Sequence, residues 1–184
     1  HFKDVTLHYE DGWPELEKMN ADMLFTGTGM DISVNSAAYQ DVAIGPGKVT
    51  IPSYERPLLS VDVDIAGSWM TQKRFLLDSP LADKTSDVFR QLQVDGDSVI
   101  DLGLRIPLIS KLEQDMEVDV TESFSGNTFR LPDWNLEVEK VSGSIRFSEN
   151  GVENGQLDGE LFAEPFSLQI TPKVINKQRL ARVI

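Results

Sequence analysis

The chain of 184 residues carries a formal net charge of −13 and is 40% hydrophobic and 26% charged, a composition typical of a folded domain rather than a disordered segment. The acidic balance argues against nucleic acid and anionic membrane surfaces as partners, because both attract clustered lysine and arginine. The absence of cysteine excludes disulfides and thiolate metal sites, and no apolar run approaches the roughly 20 residues that span a bilayer.

The first third of the chain predicts short strands joined by glycine turns. Apolar and polar residues alternate in 21–25 and again in 30–34, and the intervening sequence GTG predicts a hairpin turn between two strands. Residues 41–51 predict two further short strands on either side of the turn sequence GPG. The expected class is therefore mainly β.

The alternation becomes clearest in the middle of the chain. Residues 58–68 (LLSVDVDIAGS), 98–108 (SVIDLGLRIPL) and 116–120 (MEVDV) each place apolar side chains on one face and mostly charged or small ones on the other. Residues 143–162 continue the pattern with glycine interruptions. Strands with one apolar and one charged face are typical of an antiparallel sheet that is wetted on one side.

One stretch, residues 69–93, departs from this period of two. Its apolar residues, including the run Phe75–Leu77 and then Phe89 and Leu92, follow helical spacing instead. Pro80 interrupts the pattern. We predict one or two short helices that lie over an end or an edge of the sheet.

Two stretches resemble each other within the chain. Residues 17–32 and 139–154 both begin with Glu-Lys, continue through an alternating strand that ends in Phe, and enter a glycine turn. They are either a true repeat or two hairpins of similar composition.

The chain also starts without Met and ends without a helix cap or a turn. We therefore expect residues 1–184 to be a single β-rich segment of a longer protein.

A sheet with one apolar face must cover that face. About 25 residues of helix are too few to cover some ten strands, so the sheet is expected to curl. A curved antiparallel sheet could then close into a sandwich, with its inner faces in contact, or stay open as a groove. Alternation alone does not separate these two outcomes.

The residues that carry enzyme chemistry are scarce. The two histidines are His1 and His8, and no nucleophile elbow, P-loop or dinucleotide-binding motif occurs. Asp62 and Asp64 share one strand face and could act as acid and base, but such neighbours more commonly lie on a solvated face. The acidic stretch 94–101 lacks the order of an EF-hand. We therefore predict no catalytic activity, no metal site and no cofactor.

The order of the strand and turn motifs resembles a known family. The similar stretches are FKDVTLHYEDGWPELEKMNADMLFTGTGMDISVNSAAYQDVAIG, LLSVDVDIAGS, DSPL and DLGLRIPL. They share a strand that ends in Tyr before a glycine and WP, a hairpin of the form F-x-G-x-G-hydrophobic, and a strand that ends in Ala-Gly. In these motifs the chain resembles the AsmA-like proteins of the YhdP type over most of its length. The motifs are a succession of strands and turns and not a catalytic signature.

That resemblance implies a place and a role. Proteins of this family are very large envelope proteins of Gram-negative bacteria, anchored in the inner membrane by an N-terminal helix. They cross the periplasm as a β-rich trough with an apolar inside, and are implicated in phospholipid movement towards the outer membrane and in outer-membrane lipid homeostasis. The chain would then be a non-enzymatic periplasmic segment. Its partners would be phospholipid acyl chains, neighbouring segments of the same chain and other envelope proteins.

The apolar positions of the alternating strands are the candidate lining of such a groove, and methionine suits irregular acyl chains. The same residues would serve equally well as a closed core. The candidates are Met23, Phe25, Met30, Ile32, Val34, Leu59, Val61, Val63, Ile65, Ile100, Leu102, Leu104, Ile106, Met116, Val118, Val120, Ile145 and Phe147.

Two other functions remain open at this point. A structural or adhesive β-sandwich module could bind protein or glycan through an exposed aromatic patch around Trp69 or Trp134. A hydrolase that uses Asp62 or Asp64 is the more remote alternative. The open groove differs from both in that its working surface is the apolar side of the sheet.

Overall fold

A computed structural model describes residues 1–8, 11–79, 82, 87–109, 115–175 and 178–183, with side chains described as far as Thr171, except that of Val88. Twelve strands and two short α-helices make up most of this part of the chain. The strands are β1 (Phe2–Leu7), β2 (Leu16–Phe25), β3 (Met30–Tyr39), β4 (Val42–Ile51), β5 (Leu58–Ser68), β6 (Gln93–Asp95), β7 (Asp97–Pro107), β8 (Glu117–Leu131), β9 (Leu136–Ser148), β10 (Gly151–Leu161), β11 (Glu164–Ile175) and β12 (Gln178–Val183).

All the strands belong to one antiparallel sheet. Neighbours in the sheet are neighbours in the chain, except that β5 pairs with β7 and the short β6 pairs with β8. The first strand, β1, and the last, β12, lie at opposite edges, and across the described residues they do not close on each other. The predicted antiparallel sheet is thus present in its open form and not as a closed sandwich.

The helical departure from the alternating pattern is confirmed. Helix α1 spans Trp69–Leu77 and α2 spans Asp87–Gln91, in the connection between β5 and β7. The side chain of Ser68 makes no capping hydrogen bond to α1, and no acidic residue lies in its first turn. A nine-residue helix without a cap is marginal by itself, so packing against the sheet must stabilise it. The predicted break at Pro80 lies outside the described residues.

Residues 41–51 differ from the prediction, because they form the single strand β4 rather than two strands around GPG. The chain reverses instead at Gln40 and Asp41, where Gln40 has a positive φ of 54°, as tight hairpins require. The pairing of β4 with β5 shifts register between Ile44 and Gly47. Such a bulge accommodates Pro46, which has no N–H to donate to a ladder.

The main buried core lies where α1 and α2 meet the sheet. Its fully enclosed members come from α1, β6, β8, β9 and β10, and we call them the covered end: Trp69, Val94, Phe124, Val141 and Leu157. Phe89 and Leu92, from α2 and the residue after it, pack against this cluster. The helical connection therefore covers one end of the strands, as the sequence predicted.

Candidate functional site on the apolar face

Strand register places the predicted lining residues on one side of the sheet. Directly opposed residues of an antiparallel pair point to the same face, so partners can be followed from strand to strand. A first line contains Met23, Ile32, Val49, Val61, Leu104 and Val118; a second contains Ala21, Val34, Gly47, Val63, Leu102, Val120 and Phe147; a third contains Ile44, Ile65, Ile100, Glu122 and Ile145. We call this side the apolar face.

The remaining candidates fit the same side. Phe25 opposes Met30, and Leu59 opposes Ile106, in each case two residues along the strand from members of the first line. Met116 lies immediately before β8 rather than within it. The structure therefore brings together on one face the candidates that belong to strands, which is the geometry that a lining requires.

Most of these side chains are neither exposed nor enclosed. Sixteen of the eighteen candidates are half-buried, whereas Val34 is only 8% exposed and Phe25 is 67% exposed. Side chains of a closed core would be buried on all sides. We call the central region of the apolar face the open part, and define it by Val61, Val63, Leu102, Leu104, Val118 and Val120.

A fourth line of partners shows how the covered end continues the apolar face. Ser98, Phe124, Gly143 and Leu157 oppose one another on β7 to β10, two residues along the strands from the third line. Gly143 has a φ of +134°, and a Cβ added there would lie 2.1 Å from the carbonyl oxygen of Gln156. Only glycine permits this close approach of β9 to β10.

Two aromatic pairs belong to the covered end, one between α1 and α2 and the other within β8. The ring of Trp69 lies 5.7 Å from that of Phe89, and the ring of Phe124 lies 4.9 Å from that of Phe129 in an edge-to-face arrangement. Tilted and edge-to-face pairs stabilise beyond the area that they bury, by about 0.5–1.5 kcal/mol. Both pairs belong to the same contiguous cluster.

The second half of α1 makes a separate contact with β3. Phe75 packs edge-to-face on Tyr39 with ring centroids 5.0 Å apart, and Trp13 completes the group at 6.2 Å from Phe75. Burial raises the pKa of the Tyr39 phenol above its ordinary value, and the nearby Asp78 carboxylate adds to this effect. One short helix thus reaches from the covered end to the last residue of β3.

A buried lysine links the two helices. The Nζ atom of Lys73 donates hydrogen bonds to the carbonyl oxygens of Arg90 at 2.6 Å and Leu92 at 2.7 Å. It also lies 5.5 Å from the centre of the Trp69 ring and 5.8 Å from that of Phe89, within the range of cation–π attraction. Burial lowers the pKa of the Lys73 ammonium. These contacts hold the end of α2 against α1.

A buried carboxyl group, Glu122, interrupts the third apolar line between Ile100 and Ile145. Glu122 is 9% exposed, and burial raises its pKa to about 7. The hydrogen bonds that Ser98 and the indole N–H of Trp69 can donate to the ionised form act in the opposite direction. Glu122 is not among the candidates that the sequence predicts. The signal was available, because extending the alternation of Val118 and Val120 by one step places Glu122 on the apolar face.

The opposite face of the sheet is polar and solvated. Asp62 and Asp64 are exposed, and Asp62 Oδ1 lies 3.9 Å from Arg105 Nη1. Arg146 donates two hydrogen bonds of 2.8 Å to the carboxylate of Asp119, which holds the pKa of Asp119 below its usual value. The carboxylates singled out in the sequence therefore belong to a solvated face of ion pairs.

The tryptophans separate the alternative functions. Trp69 is 2% exposed and belongs to the covered end, so it does not supply the exposed aromatic patch that the adhesive alternative requires. Trp134 is 64% exposed, in a 3-10 turn between β8 and β9. In the described part of the chain, no cluster of acidic or histidine side chains could hold a metal ion, and no helix has the length and apolar character to cross a membrane.

These features define a class: a mainly β protein whose single open sheet leaves an apolar face half-covered, with a helical connection over one end. The family model described as YhdP protein matches residues 1–183. The chain belongs to the YhdP family, as its strand and turn motifs predict.

A curated relative extends this comparison. The chain is 23% identical, over 171 residues, to the Intermembrane phospholipid transporter YhdP of Escherichia coli (strain K12), and the match covers 93% of this chain but 13% of that protein. The chain thus spans about an eighth of the length of the relative. No solved structure gives a significant match.

Proposed function

We propose that the chain is a non-enzymatic segment of an intermembrane phospholipid-transport protein, and that its apolar face shelters acyl chains as a groove. The observation that carries this proposal is the half-burial of the open part. Val63 and Leu102 oppose each other in the middle of the sheet, with strands on both sides, and yet both remain partly exposed. The membership in the YhdP family and the name of the relative support the choice of phospholipid as the cargo.

The physical driving force for such a groove is burial of hydrocarbon. Each acyl CH₂ removed from water contributes about 0.8 kcal/mol, and the open part offers apolar contacts along consecutive strands without a charged side chain in the first two lines. A uniform lining lets an acyl chain slide with little change in free energy. The phospholipid head group would remain in water at the edge of the strands, so transport needs no bond chemistry.

The direction of the groove follows from the sheet. Eleven strands in sequence at about 4.8 Å spacing span roughly 48 Å across the strands. The apolar lines run in that same direction, from β2 to β9. We propose that neighbouring segments of the longer protein add strands at the edges β1 and β12, because unpaired edge strands are templates for pairing. The groove would then continue beyond this chain.

The cellular setting belongs to the same proposal. A carrier between two membranes of a Gram-negative envelope works in the periplasm. We place this segment there as part of a protein that is anchored in the inner membrane and contacts other envelope proteins. The acidic polar face, with Asp62, Asp64 and Asp101 exposed on it, supports this role. It would keep the segment soluble and limit adhesion to anionic membranes.

The test is phospholipid binding by native mass spectrometry, with lipid extraction in parallel. The chain is incubated with vesicles of phosphatidylethanolamine and phosphatidylglycerol and is then separated from them. We expect phospholipid to remain bound to the wild-type chain, and to be lost in Val63→Asp and in Leu104→Asp, because each places a charge in the open part.

Matched variants separate a lost lining from a lost fold. Ser60→Asp adds the same charge to β5 on the polar face and should retain the lipid, while Val63→Thr changes polarity in the open part with little change of shape. Normal binding by well-folded Val63→Asp and Leu104→Asp would overturn the proposal. Binding of protein or glycan that is lost in Trp134→Ala instead would favour the adhesive module.

A further inference from the structure

The number of protons available to the hydrogen bonds between α1 and the sheet determines the protonation state of Glu122. Gln72 on α1 donates through Nε2 to the carbonyl oxygens of Gly67 at 3.0 Å and Ser98 at 3.1 Å. Its nitrogen is thereby committed, and its Oε1 atom faces the Ser98 hydroxyl at 3.1 Å. That oxygen can only accept a hydrogen bond.

The Ser98 hydroxyl stands between two acceptors. Its Oγ atom is 3.1 Å from Gln72 Oε1 and 2.9 Å from Glu122 Oε1, but a hydroxyl group has one proton to donate. If Glu122 were ionised, one of these two short contacts would bring two oxygens together without a proton. If Glu122 carries a proton, it donates to Ser98 Oγ, and Ser98 then donates to Gln72 Oε1, so that every group has a partner.

The other neighbours of Glu122 are also compatible with a neutral carboxyl group. The indole N–H of Trp69 donates to it, and the flanking residues on β7 and β9 are Ile100 and Ile145. The neutral carboxyl group of Glu122 therefore connects α1 to strand β8 at two points. One is Trp69, the first residue of α1; the other is Gln72, which is reached through Ser98.

The cations and acids on neighbouring elements do not compensate a charge on Glu122. On α1, the Lys73 ammonium is turned to the carbonyl oxygens of Arg90 and Leu92, and Arg90 on α2 is exposed. Among the residues that the structure describes, burial and the hydrogen bonds to Ser98 and Trp69 account for the shift of the Glu122 pKa, and no charged group adds to it.

Charged groups on the adjoining strands point elsewhere. On β7, Asp101 and Arg105 alternate to the polar face, and on β9, Arg146 is paired with Asp119 on that same face. On β6, Asp95 forms an exposed ion pair with Arg130 of β8. Within the described part of the chain, an ionised Glu122 would thus have no counter-ion in its buried site, which is unfavourable.

We propose that Glu122 is a proton-controlled latch: in its neutral form it fastens α1 over the covered end, and loss of its proton releases α1 from the sheet. This inference does not depend on lipid binding. The docked state holds the proton more tightly than a detached state in which Glu122 is hydrated, so raising the pH favours detachment. The opening equilibrium begins to rise above the ordinary pKa of 4.5 and levels off above the docked pKa of about 7.

The test uses hydrogen–deuterium exchange of the α1 amides between about pH 5 and pH 8, corrected for the intrinsic pH dependence of exchange. With pKa values of 4.5 and about 7 for the two states, the opening equilibrium of α1 should rise roughly 70-fold over that interval. Glu122→Gln should remove most of this rise, because an amide can donate to Ser98 and accept from Trp69 at every pH. Glu117→Gln, which changes an exposed carboxylate on the same strand, should behave as the wild type.

A direct titration of the Glu122 side-chain carboxyl by NMR in the wild-type chain complements the variants. A midpoint near 7 supports the latch. A midpoint below 5, or a rise in α1 opening that persists unchanged in Glu122→Gln, overturns it. The titration needs no substitution and decides the question even if Glu122→Gln does not fold.

Discussion

Phe124 and Phe147 lie on the same apolar face of neighbouring strands, and yet their surroundings differ. Phe124 is 7% exposed beneath the helices at the covered end, whereas Phe147 is half-buried in the second apolar line. Both come from the same alternating pattern of apolar and polar residues. The period of the sequence therefore decides which face is apolar, while a connection from elsewhere in the chain decides which part of that face is enclosed.

The largest expected difference comes from truncating these two rings. Phe124→Ala should lower the free energy of unfolding by about 3–5 kcal/mol, because it leaves a cavity in a packed cluster. Phe147→Ala should cost about 1–2 kcal/mol, since its ring is only partly removed from water. Urea unfolding followed by circular dichroism measures both. Equal losses would mean that the open part is packed as tightly as the covered end.

A smaller effect should distinguish two adjacent cations of α1. Lys73→Ala leaves the carbonyl oxygens of Arg90 and Leu92 without their donor, and should cost about 2 kcal/mol. Arg74→Ala, one residue further on, changes an exposed side chain and should have almost no effect on stability. Thermal unfolding of the two variants checks the difference. An equal and negligible loss in both would show that Lys73 does not hold the helices together.

The smallest effect is expected on the polar face. Arg146→Ala removes the two hydrogen bonds to Asp119, and the pKa of that carboxyl should rise towards its ordinary value. Because the pair is exposed, we expect little change in the melting temperature. NMR titration of Asp119 reads the first change and calorimetry the second. A large loss of stability would indicate that the polar face contributes as much as the covered end.

The sequence was sufficient to predict what depends on local period. The alternation in 58–68 and 98–108 predicted β5 and β7, their common apolar side, and the helical departure between them. The stretches 17–32 and 139–154 both lie in hairpins, and their origin as a repeat remains a prediction. The alternation predicts these strands correctly because successive side chains point to opposite faces, of which one is apolar and the other is polar and solvated.

The features that the sequence does not predict depend on contacts between distant residues or on a local departure from the usual pattern. The sequence GPG in residues 41–51 predicts a turn, but a register shift lets the strand continue through it. Trp69 was a candidate for an exposed patch, but its exposure depends on where α1 packs, which no local pattern contains. Glu122 was overlooked because a carboxyl group is rare inside an apolar face, and its place there depends on partners that are distant in the chain.

The most direct test of the proposed groove is site-specific photocrosslinking to phospholipid. A photoreactive amino acid is placed at Val63 or Leu104 in the open part, at Asp64 on the polar face, or at Phe124 in the covered end, and the chain is incubated with phospholipid vesicles before illumination. We expect lipid adducts from the first two positions, and few from Asp64 or Phe124. Equal labelling at Asp64 and Leu104, or no adduct at either Val63 or Leu104, would contradict the assignment of the apolar face as the surface that shelters acyl chains.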